Sequence, residues 1–548
     1  MVYTRQPSET SYPADLSRSV HFAVSRDGRQ FQPLHNNYGI LFAEAQISAD
    51  DTILPKGIKD PVVFPMPEGG FGIAAVRVNE DGSCDGSCQD HMLLWKTMDF
   101  ICFRCEGLVE KSGLNLGHAV RECAVICGES VEGSAVDIDA CICDRIWQKW
   151  TQVRHVDTYL PENATFTSEQ ELDDFRATAV YSDGSTSLKK VKWQKDQIDF
   201  SVSGTYQVKG RLYDRQYPFP LAQGYGDPVL FQWEGKWHFL GTNDNLNDIG
   251  IYVREADTIE GLFAEGVKEH LILGVDEEMG FVQTFWAPEF HMIGGQPYIL
   301  FAVGGKVWGP QCYLMKLKSG GRIIDADGWE TPVKVLRQDG SPLSENGITL
   351  DMTYLLAGGN SYMVWSYRRH IGTPKDTGSM LYIARINVER PWQLAGEPVL
   401  LSRPLFGWEN VSGTINNEGP HGFVHNGKVY LTYSGGDACG YTYVLGLFTA
   451  EETQDLTNVA VWEKSCTPVL SFYSVEGEYG PGHNSFFVDD DGNLMIAYHG
   501  ETSLESRLRC DGIHRIHFDI YGEPVFDMSA DRDLAPELCD VALQITVK

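Results

Sequence analysis

Asp227, Asp351 and Glu418 lie far apart in the chain but occupy matching places in a repeated pattern. Paired carboxyl groups can share acid and base work across one bond. One protonates a leaving oxygen, and the other activates water or attacks carbon, as in the cleavage of a glycosidic bond. A third carboxylate close to the acid raises its pKa by repulsion and keeps it protonated near neutral pH. An isolated Asp-Pro or Glu-Gly-Pro is more simply read as a turn whose carboxylate caps backbone N–H groups. Recurrence in register is what argues for chemistry here.

The register comes from five segments of one design: GDPVLFQWEGKWHFLGT from Gly226, WAPEFHMIGGQPYILFA from Trp286, LDMTYLLAGGNSYMVWS from Leu350, NEGPHGFVHNGKVYLTYS from Asn417 and GHNSFFVDDDGNLMIAYH from Gly482. Each opens on small or polar residues, runs into an apolar strand, turns at a glycine and leaves on a second strand. The turn glycines Gly235, Gly295, Gly359, Gly427 and Gly492 are 60, 64, 68 and 65 residues apart, room for four strands and their loops. Four-stranded units repeated radially are propeller blades, so residues 213–548 are expected to form a five-bladed β-propeller. The innermost strand of each blade lines the axis. Eight residues before each glycine stand Asp227, Ala287, Asp351, Gly419 and Asn484, with Trp286, Glu418 and His483 one residue away. These side chains should converge at one mouth of the axis.

The whole chain reads as all-β. Residues 151–212 alternate around an Asp-Gly turn in FRATAVYSDGSTSLKKVKWQ, as in a small immunoglobulin-like β-sandwich. Residues 1–150 contain IKDPVVFPMPEGGFGIAAVRV, a sixth copy of the blade opening, and are expected to form a degenerate or partial propeller. Eight cysteines fall in that region. Their spacing follows no zinc-finger pattern, so they are expected to be reduced thiols buried on strands. A net charge of −31 disfavours nucleic acid as a partner and leaves a neutral sugar acceptable. The sequence has no membrane-length apolar run, and MVYTRQPSETSYPADL has no leader-like apolar core. The expectation is therefore a cytoplasmic protein with no membrane partner, or a secreted one if a leader has been removed.

At the repeat openings the sequence resembles glycoside hydrolase family 43, which includes α-L-arabinofuranosidases, β-xylosidases and arabinanases. The motifs are Gly226-Asp227-Pro228, Trp286-Ala287-Pro288-Glu289, Leu350-Asp351-Met352-Thr353, Asn417-Glu418-Gly419-Pro420 and Gly480-Pro481-Gly482-His483-Asn484-Ser485. The resemblance implies an inverting mechanism with Asp227 as general base, Glu418 as general acid and Asp351 tuning the acid. Base and acid should then lie roughly 6.5–9.5 Å apart. It further implies an exo-acting arabinofuranosidase on oligosaccharides, with a β-xylosidase or a non-catalytic carbohydrate-binding propeller as alternatives. Trp286 is read as stacking on a sugar or as core. Glu289 is read as binding hydroxyls or facing outward, and Arg509 as touching substrate or forming a surface ion pair. His483 resembles an axial histidine that in some members helps hold a calcium ion or water. The chemistry requires no cofactor.

Overall fold

The computed structural model describes residues 1–8 and 10–548. Two compact units result: Met1–Lys149 with Phe219–Ile513, and Trp150–Pro218 with His514–Lys548.

Five antiparallel sheets of the first unit are the blades. Their innermost strands are Tyr225–Trp233, Gln283–Ile293, Gly347–Ala357, Glu418–His425 and Tyr479–Val488. The first four sheets have four strands each. The fifth has three, and the entering chain supplies its missing edge. Leu221 N–H donates to the Asp511 carbonyl at 2.8 Å, and Asp511 N–H donates to Ala222 at 2.9 Å. The start of the propeller thus hydrogen-bonds its last blade and closes the ring. Apolar side chains fill the wedges between blades. Val229, Leu240 and Val253 of the first blade pack with Phe285, Ile299 and Phe301 of the second. Each such buried side chain contributes about 1.5–3 kcal/mol relative to exposure.

All five inner strands break their ladder at the same place. Register shifts fall at Gly226/Val229, Trp286/Glu289, Leu350/Thr353, Glu418/His421 and Gly482/Ser485. At each break one residue is left-handed: Asp227 (φ 58°), Ala287 (46°), Asp351 (53°), Gly419 (54°) and His483 (42°). Bulges re-aim side chains, and strained φ values in non-glycine residues concentrate at functional sites. Pro228, Pro288 and Pro420 follow three of these residues, where a missing N–H costs the broken ladder nothing.

The amino-terminal region supplies one blade-like sheet, Lys56–Pro65 through Arg104–Glu110, whose register shifts between Lys59 and Val62 with Asp60 at φ 51°. Its other large sheet has five strands, in which Val2–Tyr3 pairs with both Glu129–Ala135 and His21–Val24. The sixth copy of the blade opening is therefore a single blade. The region packs into the propeller's own core: Tyr12, Leu16, Tyr38 and Phe42 share a cluster with Trp408, Val411 and Phe472. Six of its eight cysteines, Cys84, Cys102, Cys105, Cys123, Cys127 and Cys141, are exposed, contrary to expectation. Cys105 and Cys123 sit on strands at the edges of their sheets, where one flank faces water.

The second unit is a curled six-stranded sheet over a core that includes Val191, Trp193, Val208, Leu543 and Ile545. Its boundary differs from the one expected. Strand Asp540–Val547 runs antiparallel to Gly204–Tyr213 and parallel to Asn163–Phe166, so residues 514–548 belong here rather than to the propeller. Alternation in DVALQITV fits a half-buried strand of either domain, and only the pairing partner decides.

Candidate active site

The five bulges bring the expected ring together. Asp227, Asp351 and Glu418 are 6%, 3% and 9% exposed, at the inner edge of the first, third and fourth blades. In the fifth blade the ring position belongs to His483, not Asn484. The turn of the fifth blade holds five residues, 489–493, where each of the others holds two, and its glycine stands nine rather than eight residues after the ring position.

Asp227 is held by a clamp. Arg509 Nη1 donates to its Oδ1 at 3.0 Å, while Nε and Nη2 of Arg509 grip Asp244 at 2.9 and 2.5 Å. Thr242 donates to Oδ2 at 2.5 Å, and His483 Nδ1 lies 3.1 Å from Oδ1. Burial alone would raise this carboxyl. His483, Arg509 and His499 overcome it and hold Asp227 well below the usual carboxylate range. Burial also lowers His483 and His499, which leaves Arg509 as the permanent positive charge beside Asp227. His499 Nδ1 accepts the Asp227 backbone N–H at 3.1 Å, and Nε2 donates to the Ala438 carbonyl at 3.0 Å, which fixes its tautomer.

Glu418 has the opposite environment. Its Oε1 accepts from Tyr443 at 3.0 Å and its Oε2 from Ser379 at 3.2 Å. Burial outweighs these bonds and the nearby Arg368, pushing the carboxyl up to about 7. Asp351 is raised well above its usual value by burial and by Glu418, although its Oδ2 accepts from Gly419 N–H and Ser366, both at 3.2 Å. The two acids behave as one coupled pair that retains a proton where Asp227 has none. The molecule therefore presents an ionised carboxylate and a protonated carboxyl in one ring, the pairing that acid–base cleavage needs.

The second strands supply the supports. Thr242, Ala302, Ser366, Ser434 and His499 each stand seven residues after a turn glycine and opposite the bulge. Thr242 accepts Ala287 N–H at 2.9 Å, and Ser434 accepts His483 N–H at 2.8 Å. His499 does the same for Asp227, so these bonds run from one blade to the next. The segment endings GT, WS, YS and YH carry this signal, a polar residue closing an apolar strand, while FA ends on Ala302. Tyr443 carried none, because it lies outside the repeated segments.

Three expected residues fare differently. Trp286 is half-buried, with Nε1 donating to Asp248 at 2.9 Å. Glu289 is 2% exposed and hydrogen-bonded to His291 at 2.6 Å, so its carboxyl faces inward rather than outward. Arg509 is 8% exposed and its guanidinium is engaged by Asp227 and Asp244, so it is a buried partner of the ring acid rather than a surface ion pair.

The model of glycosyl hydrolases family 43 matches residues 221–519, more than half the chain. The chain belongs to family 43. A bacterial immunoglobulin-like domain (group 4) matches residues 176–214. Among family 43 relatives, an extracellular exo-α-(1→5)-L-arabinofuranosidase of Streptomyces avermitilis is 33% identical, over 58% of this chain and 64% of that protein. α-L-Arabinofuranosidase B of Pyricularia oryzae is 30% identical, over 56% and 58%. The chain thus spans less than two thirds of either relative. A solved α-L-arabinofuranosidase from Lactobacillus brevis is 27% identical over 57% of this chain and 96% of that one, with a TM-score of 0.49. No helix among the described residues is long and apolar enough to cross a membrane.

Proposed function

We propose that this family 43 chain is an inverting, exo-acting α-L-arabinofuranosidase that releases arabinose from oligosaccharides. The single observation that carries the reading is the opposite treatment of two ring carboxyls: Arg509 and its neighbours keep Asp227 ionised, while burial keeps Glu418 protonated up to about pH 7. In this reading Glu418 gives its proton to the glycosidic oxygen as the bond from that oxygen to the anomeric carbon breaks. Asp227 takes a proton from a water on the opposite face, and the water oxygen bonds to the anomeric carbon with inversion. The products are a free sugar and an alcohol. Asp227 gains the proton that Glu418 loses, and exchange with solvent restores both. Asp351 orients Glu418 and shares its proton. Trp286, pinned through Nε1, offers its ring as a sugar platform. The near-burial of all three acids favours entry by a chain end over a long groove, and the names of the relatives favour arabinose as the sugar.

The test is turnover of nitrophenyl α-L-arabinofuranoside and β-D-xyloside, with the product anomer followed by proton NMR. Release of β-arabinose from the α-arabinoside is the expected result. Activity confined to the xyloside would make the chain a β-xylosidase. First-formed α-arabinose would overturn inversion.

A further inference from the structure

Two residues deeper than the catalytic ring, a second set of side chains converges. Glu289 and His291 lie on the inner strand of the second blade and His421 on that of the fourth, with Thr353 of the third blade between them. Glu289 Oε2 lies 2.6 Å from His291 Nε2 and 3.9 Å from His421 Nε2. Thr353 Oγ1 is 3.4 Å from His291 Nε2. One potential ligand atom from each of Glu289, His291 and His421 falls within 4.8 Å of the others. The rings are held in place: His291 stacks on His421 at 5.8 Å, and Phe486 meets His421 edge-on at 5.5 Å. His421 is 9% exposed, and its Nδ1 has no hydrogen-bond partner. A buried imidazole left partly unsatisfied between another imidazole and a carboxylate is an unusual cost for a purely structural side chain.

The calcium that the family resemblance implies beside His483 is a poor match to these donors. His483 Nδ1 is turned to Asp227, and the neighbouring cluster offers two nitrogens and one carboxylate. Calcium takes six to eight oxygens. Two imidazoles with one carboxylate is instead a ligand set for zinc and similar ions, at metal–nitrogen distances of about 2.0–2.1 Å. We propose that Glu289, His291 and His421 bind one borderline divalent ion of the zinc or cobalt type, tying the second blade to the fourth across the channel. Thr353 Oγ1 or a water completes the tetrahedron. The ion displaces the direct Glu289–His291 hydrogen bond. Glu289 and His421 each stand two residues from a ring bulge, at Ala287 and Gly419. The site therefore stiffens the strands that set the spacing of the catalytic acids without entering the chemistry.

The test uses the full chain, stripped of metal, with its exposed thiols first alkylated so that cysteine cannot bind the probe. Cobalt(II) is titrated while visible d–d bands and thermal unfolding are followed. The expected result is saturation at one equivalent, with tetrahedral bands, no thiolate charge-transfer band and a raised Tm. His421→Gln and His291→Gln, folded by circular dichroism, should each weaken binding by more than the ~10–100-fold that losing an outer-shell partner costs. Copper(II) EPR of the unaltered protein should show two coupled nitrogens, which keeps the test decisive if a variant fails to fold. Absence of the bands and of the Tm shift in the unaltered protein, unchanged affinity in both folded variants, or a copper signal without nitrogen coupling would each overturn the site.

Discussion

The Tyr443 ring lies flat against the His499 ring, with centroids 5.2 Å apart and planes 3° from parallel. The stack joins the surroundings of two ring carboxyls: Tyr443 donates to Glu418 at 3.0 Å, and His499 Nδ1 accepts the Asp227 backbone N–H at 3.1 Å. Gly482 makes room for it, since a Cβ there would meet the Tyr443 ring at 2.2 Å. A stacked pair of rings thus stands between the partners of Glu418 and of Asp227.

Tyr443→Phe tests this link through pH. The tyrosine hydroxyl favours ionised Glu418 and so lowers its pKa. Its removal should raise that pKa, moving the alkaline limb of kcat/KM from near pH 7 upward by about one unit. A variant that merely loosened packing would lower the rate without moving the limb.

Arg509→Lys tests the clamp on the base. Lysine keeps the charge but cannot serve Asp227 and Asp244 together. Asp227 should rise toward its ordinary range, so the acidic limb moves to higher pH. The loss in kcat/KM should be on the order of tenfold or more. Binding of a neutral inhibitor should change less than turnover.

Gly226→Ala reaches the same clamp by sterics. A Cβ at Gly226 would lie 2.3 Å from the Arg509 guanidinium carbon, in the neighbouring blade. The variant should lose about 1–3 kcal/mol of stability and reproduce the pH shift of Arg509→Lys. An unchanged acidic limb would show that Arg509 does not set the charge state of Asp227.

Glu418→Gln tests burial of the acid through stability. The folded-state pKa of Glu418, about 7, lies above its ordinary 4.5, so folding favours the protonated form. That contribution is complete below the unfolded value and is lost as pH rises through the folded one. The Tm of Glu418→Gln should therefore match that of the unaltered protein near pH 4 and exceed it at pH 8. A constant difference across pH would argue against a raised Glu418.

Much of this site could be read from spacing alone. The turn glycines placed Asp227, Asp351 and Glu418 in one ring because a blade fixes the distance from its turn to the axis. The same ruler puts the fifth position one residue late, since nothing in VDDDGN shows that this turn takes five residues where the others take two. Arg509 is legible as a site residue but not as the partner of Asp227. That contact crosses from the last blade to the first and exists only when the ring closes. That the strand Asp540–Val547 pairs outside the propeller is not legible for a similar reason, because alternation shows that a strand has a buried face but not which sheet covers it.

The division of labour between Glu418 and Asp227 is tested most directly by leaving-group chemistry. Glu418→Gln and Asp227→Asn should be compared on an alkyl arabinofuranoside, whose alkoxide needs a proton, and on a dinitrophenyl arabinofuranoside, whose phenolate leaves without one. Glu418→Gln should lose on the order of 10²–10⁴-fold on the first substrate and little on the second, whereas Asp227→Asn should lose heavily on both. Equal losses for Glu418→Gln on the two substrates, or near-normal turnover by Asp227→Asn, would contradict the assignment.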